Sequence, residues 1–139
     1  MLVVSTKRLI TKSAARRQLI DITLEVTHFV RDAAVREGVC MVTVPHATAA
    51  LLVNEHEAGL LNDLLAKIED LFPASGSYRH NAIDDNADAH IAAVFLGHTR
   101  SFPVCDGELV HGTWQNIFLV ELDGPRSRRE VVLQVIGDT

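Results

Sequence analysis

The strongest constraint on this chain is a stripe of large apolar residues at helical spacing: Leu60, Leu61, Leu64, Leu65, Ile68, Leu71 and Phe72. Asn62, Asp63, Lys67, Glu69 and Asp70 fall on the opposite side and Pro73 ends the run, so the segment predicts an amphipathic helix with one face to hide. Such a helix needs a surface to lie on, and the flanking segments supply one. Leu2 to Ile10 and Arg16 to Ile20, rich in β-branched and apolar residues and parted by Thr11-Lys12-Ser13, predict the strands of a hairpin. From Asp21 the apolar residues Ile22, Val26, Phe29, Val30 and Ala33 return to helical spacing until Gly38. Val39 to Val44, closed by Pro45, predicts a strand buried on both faces, and Ala49 to Val53 a second one.

Ala74-Ser75-Gly76-Ser77 and the polar stretch Tyr78 to Asp85 read as loop, and a short helix is expected from Ala87 to Leu96, stopped by Gly97. In the last third, Ser101 to Ile136, turns at Asp106-Gly107 and Gly124-Pro125 separate the alternating Trp114 to Leu122 from Val131 to Ile136, predicting an antiparallel meander. The expected fold class is α+β. A single domain over residues 1–139 would carry a mixed, largely antiparallel sheet of about seven strands with about three helices.

Composition narrows the function classes. With 47% hydrophobic and 22% charged residues, the chain is too apolar for a disordered segment. Its apolar runs, such as Ile117 to Val120, fall far short of the roughly 20 residues of a membrane span. No basic, then apolar, leader opens it and only Cys40 and Cys105 carry thiols, so a cytoplasmic protein without a membrane partner is expected. Charge is graded along the chain: seven Lys or Arg against three acids through Arg36, then thirteen acids against Lys67, Arg79 and Arg100 from Glu37 to Asp123, then Arg126, Arg128 and Arg129 together. That balance argues against nucleic acid as a partner, which needs a broad basic surface, and permits a cation site.

Four groups of residues have the chemistry for a site. His80 in the polar loop and His90 on the first turn of the short helix are separated by Asp84, Asp85 and Asp88, the ligand types that zinc, manganese or iron accept. His90 shares a side with Val94 and should face inward. The same residues fit an Asp-capped helix with a hydrogen-bonded histidine at its start. His46 sits at the mouth of one strand and Asn54-Glu55 at the end of the next, where side chains are held rigidly and could serve as acid, base or ligand, or as turn and cap residues. In Gly112-Thr113-Trp114-Gln115, Trp114 is expected in the core, while Gln115 points the other way. Arg126, Arg128 and Arg129 form a candidate anion clamp or a solvated edge. Cys40 and Cys105 read as structural. No GxSxG, P-loop, GxGxxG or CxxC occurs.

Taken in order, His46-Ala47-Thr48-Ala49-Ala50-Leu51 with Asn54-Glu55, Tyr78-Arg79-His80, Asp85-Asn86-Ala87-Asp88-Ala89-His90, Gly112-Thr113-Trp114-Gln115, and Glu121 with Arg128 resemble the signature of the YjbQ-like family, described as secondary thiamine-phosphate synthases. The resemblance spans essentially the whole chain. It implies a small α+β fold, a homotrimer, and a site containing His46, Asn54, Glu55, His80, His90, Gln115 and Arg128. It departs at Ala47, where a hydroxyl is usual, and at His111; His98 and His111 match no family position. The implied activity is metal-assisted chemistry on a small phosphorylated substrate, with thiamine-phosphate synthesis as the named reaction. His46, Asn54, Glu55 and Gln115 are then the expected catalytic groups, Arg128 and Thr48 the substrate contacts, and His80, His90 and His46 the ligands of a divalent ion, zinc or magnesium. The alternative is a non-catalytic metal- or ligand-binding trimer.

Overall fold

The computed structural model describes residues 1–139 as eight strands and three α-helices. In chain order these are β1 (Leu2–Thr11), β2 (Gln18–Asp21), α1 (Thr23–Asp32), β3 (Glu37–Thr43), β4 (Ala49–Asn54), α2 (Ala58–Leu71), α3 (Ala87–Leu96), β5 (Thr99–Cys105), β6 (Glu108–Leu109), β7 (Asn116–Glu121) and β8 (Arg129–Asp138), with a short 3-10 turn at Arg79–Ala82. The strands form two sheets rather than one, in the orders β1-β8-β3-β5-β6 and β2-β7-β4. Every pairing is antiparallel, so the expected mixed character gives way to two purely antiparallel sheets.

Two expected local pairings do not form. β1 pairs with β8 and β2 with β7, so the predicted N-terminal hairpin is a crossing from one sheet to the other. The cause lies in the connecting Ser13, whose amide donates to the Arg126 carbonyl (2.9 Å) and whose hydroxyl donates to Glu121 (2.6 Å). The C-terminal meander likewise divides: β5 and β6 form a hairpin in the large sheet, β7 becomes the centre of the small sheet, and β8 returns between β1 and β3.

The small sheet is covered on both sides, giving three layers. Ala49, Leu51, Ile117 and Leu119 join the inner residues Cys40, Val42, Leu133 and Val135 of the large sheet and Val26 and Val30 of α1. The alternate residues Ala50, Val120 and Leu122 pack on Ile68 of α2 and Ala89, Ala92 and Ala93 of α3. Burial on two faces, expected for Val39–Val44, therefore belongs to β4 and β7. β3 has one wet face: Val39, Met41 and Thr43 are not buried, whereas Cys40 and Val42 are.

α1 begins where Asp21 accepts from the Thr23 amide (2.9 Å), α2 where Glu57 accepts from Gly59 and Leu60, and α3 ends at Gly97, whose φ of 91° suits glycine. Trp114, expected in the core, is 71% exposed on the turn before β7. Cys40 is buried and Cys105 exposed.

Candidate functional site

The 3-10 turn presents Arg79 and His80, and the first turn of α3 presents His90. The two imidazoles meet edge to face with ring centroids 4.8 Å apart. They line an open cleft of about 450 Å³ together with Ser77, Tyr78, Arg79, Ala87 and Ile91. Its walls are braced from behind. The Tyr78 hydroxyl donates to the Pro73 carbonyl (2.7 Å), and the Ala87 amide donates to Asn81 Oδ1 (3.1 Å). Asp88, fully buried, takes Arg16 Nη2 at 3.0 Å and Arg17 Nη2 at 2.7 Å. Arg17 also reaches Glu69 and the Phe72 carbonyl, so one guanidinium ties the end of α2 to the start of α3. The expected convergence of His80 and His90 is thus present, but Asp88 serves as a counter-ion to arginines rather than as a ligand.

His46 borders a second cleft, of about 210 Å³, on the other side of His90, with Ala47, Ala49, Ala93, Val94 and His98 as its remaining walls. His90 stands between the two. The ring of His46 is fixed by its Nε2, which accepts the Glu130 amide hydrogen at 2.8 Å. Burial, and then the nearby Arg129 charge, hold its pKa below the ordinary histidine value. The neutral ring therefore carries its proton on Nδ1, and ligation through Nε2 would break the bond to Glu130. His46 is better placed as a donor than as the expected metal ligand, and within one chain no group of three or more His, Cys, Asp or Glu side chains is arranged to hold a metal. His98, which matched no pattern, is brought into this cleft.

The three arginines of the C-terminal turn have different surroundings. Arg129 is buried against the fully buried Glu121, donating through Nε (2.9 Å) and Nη2 (2.5 Å), and also donates to the Thr48 carbonyl and hydroxyl. Burial raises the pKa of Glu121, but hydrogen bonds from Arg129, Ser13 and Asp123 more than reverse this and hold it below the usual carboxylate range. Thr48 is consequently a buried partner of Arg129, its hydroxyl already engaged, rather than an open substrate contact. Arg128, expected to bind the anion, has a side chain 67% exposed and faces Glu130 at 3.5 Å. Arg126 donates to Asp123 (3.0 Å), Asp123 accepts from Asn86 Nδ2 (2.9 Å), and Asn86 Oδ1 lies 3.1 Å from His80 Nε2.

Asn54, Glu55 and Gln115 lie at the other end of the small sheet. Asn54 ends β4 opposite Asn116, which begins β7, while His46 precedes Ala49. A six-residue strand separates them, roughly 17 Å at about 3.3 Å per residue. Asn54 Oδ1 accepts from the Glu55 amide (2.7 Å), and Gln115 Oε1 accepts from the Gly112 amide (2.7 Å). The structure therefore divides the expected catalytic set into two groups, one around His46, His80 and His90 and one around Asn54, Glu55 and Gln115.

Beside the second group stands a pair that sequence patterns did not mark. His56 Nδ1 lies 2.6 Å from Asp21 Oδ2, its ring tilted against Phe118 at 5.4 Å. Asn116 Nδ2 (3.1 Å) and the Thr23 hydroxyl and amide (2.5 and 2.9 Å) complete the donors around Asp21. Burial raises the Asp21 pKa and these bonds, from Thr23 and then His56, bring it below its ordinary value. Thirty-five residues separate the partners, and no short motif announces such a pair.

The fold is a two-sheet antiparallel α+β domain whose paired histidines come from the 3-10 turn and the first turn of the third helix. The sequence pattern of the family described as "UPF0047 protein YjbQ-like" matches residues 7–138, and the chain belongs to that family. A UPF0047 protein of Methanothermobacter thermautotrophicus is 44% identical over 126 residues, covering 91% of this chain and 88% of that one. UPF0047 protein YugU of Bacillus subtilis is 33% identical, covering 88% and 92%. Among solved structures, a YbjQ-like protein of unknown function from Sulfolobus solfataricus superimposes with a TM-score of 0.98 at 47% identity, covering 99% of this chain and all of that one. A hypothetical protein from Aeropyrum pernix gives 0.93 at 39% identity, covering 96% and 99%.

Proposed function

We propose that the chain is a metal-assisted enzyme for a small phosphorylated substrate and that its site is composite, assembled between copies of a homotrimer. The observation that carries this reading is the edge-to-face pair of His80 and His90 in an open cleft with Arg79. Two imidazoles without a third ligand do not make a closed four-ligand structural site; they fit an open one whose remaining positions go to water, substrate or a neighbouring chain. Their nitrogen donors favour zinc over magnesium, which prefers oxygen. A divalent ion bound there would supply charge stabilisation to a departing phosphate or diphosphate.

The chain's own groups divide the remaining work. Arg79 is positioned to bind phosphate oxygens bidentately, and His46, which borders the adjoining cleft, to donate from Nδ1. Asn54, Glu55 and Gln115 lie at the far end of the small sheet from the same copy's cleft, so in this reading they serve a neighbour's. Ile91, Val94 and Phe95 leave the outer side of α3 apolar and exposed beside the cleft, and no helix covers Val4, Val39 and Met41 on the outer side of the large sheet. These are surfaces that assembly would bury. Thiamine-phosphate synthesis from an aminopyrimidine diphosphate and a thiazole phosphate is the reaction to test first.

Light scattering should give three times the chain mass, metal analysis should find a transition ion, and purified protein should join the two phosphorylated precursors with release of diphosphate. The His80→Ala variant should fold and assemble but lose both metal and turnover. A monomer without metal would overturn the reading. A metal-loaded trimer without turnover would leave a binding protein in its place.

A further inference from the structure

We infer that Asn86, Asp123 and Arg126 act as positioning residues that hold His80 in a single tautomer with Nδ1 as its free lone pair. The inference deepens the reading of His80 as a ligand-binding group and rests on it for the role of that lone pair, but the orientation itself follows from hydrogen-bond polarity.

The chain of contacts can run only one way. Arg126 is a donor without acceptor capacity, and both its Nη2 bond to the Asp123 carboxylate (3.0 Å) and its Nε bond to the Asp123 carbonyl (2.9 Å) present that residue as an acceptor. The Asp123 carboxylate then takes a hydrogen from the side chain of Asn86 at 2.9 Å, which requires the Asn86 amide nitrogen to face Asp123. Asn86 is 8% exposed, so its amide has no solvent with which to trade that orientation. Its oxygen is left facing His80 Nε2 at 3.1 Å, and an amide oxygen only accepts. Nε2 must carry the proton. In the neutral ring Nδ1 then has none and keeps its lone pair for a ligand.

This arrangement has the form of the outer-shell support that metal-binding histidines commonly have, where a carbonyl or carboxylate holds one ring nitrogen while the other binds. It also gives Arg126 a role distinct from its neighbours: Arg129 neutralises a buried carboxylate, Arg128 faces solvent, and Arg126 orients the amide that orients His80. Removing Asn86 would free the ring to exchange tautomers and to rotate, reducing the fraction of molecules in which Nδ1 is presented.

Long-range ¹H–¹⁵N correlation spectra of the metal-free protein read the tautomer directly, and calorimetric titration with Zn²⁺ alone reads its consequence. In the natural protein, His80 should show a protonated Nε2 and an unprotonated Nδ1 as one species at a pH where the ring is neutral. Asn86→Leu should bring the two ring nitrogens toward averaged shifts and weaken Zn²⁺ binding about 10- to 100-fold, the range for loss of an outer-shell partner. Arg126→Gln is a partly exposed change that leaves the core intact and should shift both readouts in the same direction as Asn86→Leu, so the test survives if Asn86→Leu does not fold. A proton on Nδ1 in the natural protein, or spectra and Zn²⁺ affinity within twofold of it in Asn86→Leu and Arg126→Gln, would overturn the inference. The expected tautomer in a protein that binds no Zn²⁺ would support the positioning and refute the metal reading instead.

Discussion

Replacing Glu121 by Gln removes one charge from the most enclosed polar cluster in the protein, and its cost can be worked from the bonds. The carboxylate takes the Ser13 hydroxyl (2.6 Å), Arg129 Nε and Nη2 (2.9 and 2.5 Å) and the amides of Leu122 and Asp123 (3.0 and 3.1 Å). A Gln side chain turns one oxygen into a donor. Facing Arg129 Nη2, it also confronts two backbone amides; facing the other way, it confronts Arg129 Nε and Ser13. In either case Arg129, 3% exposed, keeps its charge without a counter-ion. Breaking one side of a buried pair costs about 3–5 kcal/mol. With an unfolding entropy of about 2.1 cal/mol/K per residue, 139 residues give roughly 0.29 kcal/mol/K, so Tm should fall by about 10–17 °C. Circular dichroism melts at one fixed protein concentration would measure it. The double change Glu121→Leu with Arg129→Met should recover most of the loss, because the lone charge is gone. A fall below about 3 °C for Glu121→Gln, equivalent to about 1 kcal/mol, would refute the claim that the pair is a closed, dry unit.

Three further outcomes are expected. His46 has a lowered pKa in the folded chain, so below about pH 6.5 the unfolded state binds a proton that the folded state refuses. The contribution of His46 is therefore complete above that pH and lost as pH falls toward the lowered value, and urea titrations at pH 7.5 and 5.5 should show a smaller difference in His46→Gln than in the natural protein. Iodoacetamide should label Cys105 alone in the folded protein and both thiols after unfolding, since Cys40 is buried and its thiol is pushed up to about 11 by burial; two labels in the folded state would contradict the core described. Arg79→Gln should weaken binding of inorganic phosphate by about 1.5–3 kcal/mol while Arg128→Gln changes it little, and equal losses in calorimetry would restore Arg128 as the anion contact.

The parts legible in the sequence are those decided locally. The stripe from Leu60 to Phe72 became α2 because a 3.6-residue period ended by Pro73 needs no distant partner, and the run from Ala87 to Leu96 became α3 as an alanine-rich segment stopped by Gly97. The meeting of His80 and His90 was legible for the same reason, being ten residues apart across one turn. Strand existence was legible but pairing was not, because β1 finds β8 across almost the full chain while its neighbour β2 is drawn elsewhere by Ser13. Trp114 broke its expectation since a lone aromatic before a strand carries no sign of which side of a turn it will take. Asp88 did carry a signal: an acid on the inner side of an otherwise apolar helix requires a counter-ion, here Arg16 and Arg17, more than seventy residues away.

The position of β8 has a consequence for how the chain acquires its shape. β8 lies in the interior of the five-strand sheet, bonded to β1 on one side and β3 on the other, so the last strand in the sequence is the one that joins the first to the rest. During synthesis β1 emerges with no partner and must wait until the segment opposite it, beginning at Arg129, has left the ribosome. The small sheet likewise waits for its central strand, β7, which precedes β8 in the chain. Seating β8 between β1 and β3 therefore requires contacts that span nearly the whole chain, the kind of step that slows folding and leaves β1 an unpaired edge in the interval.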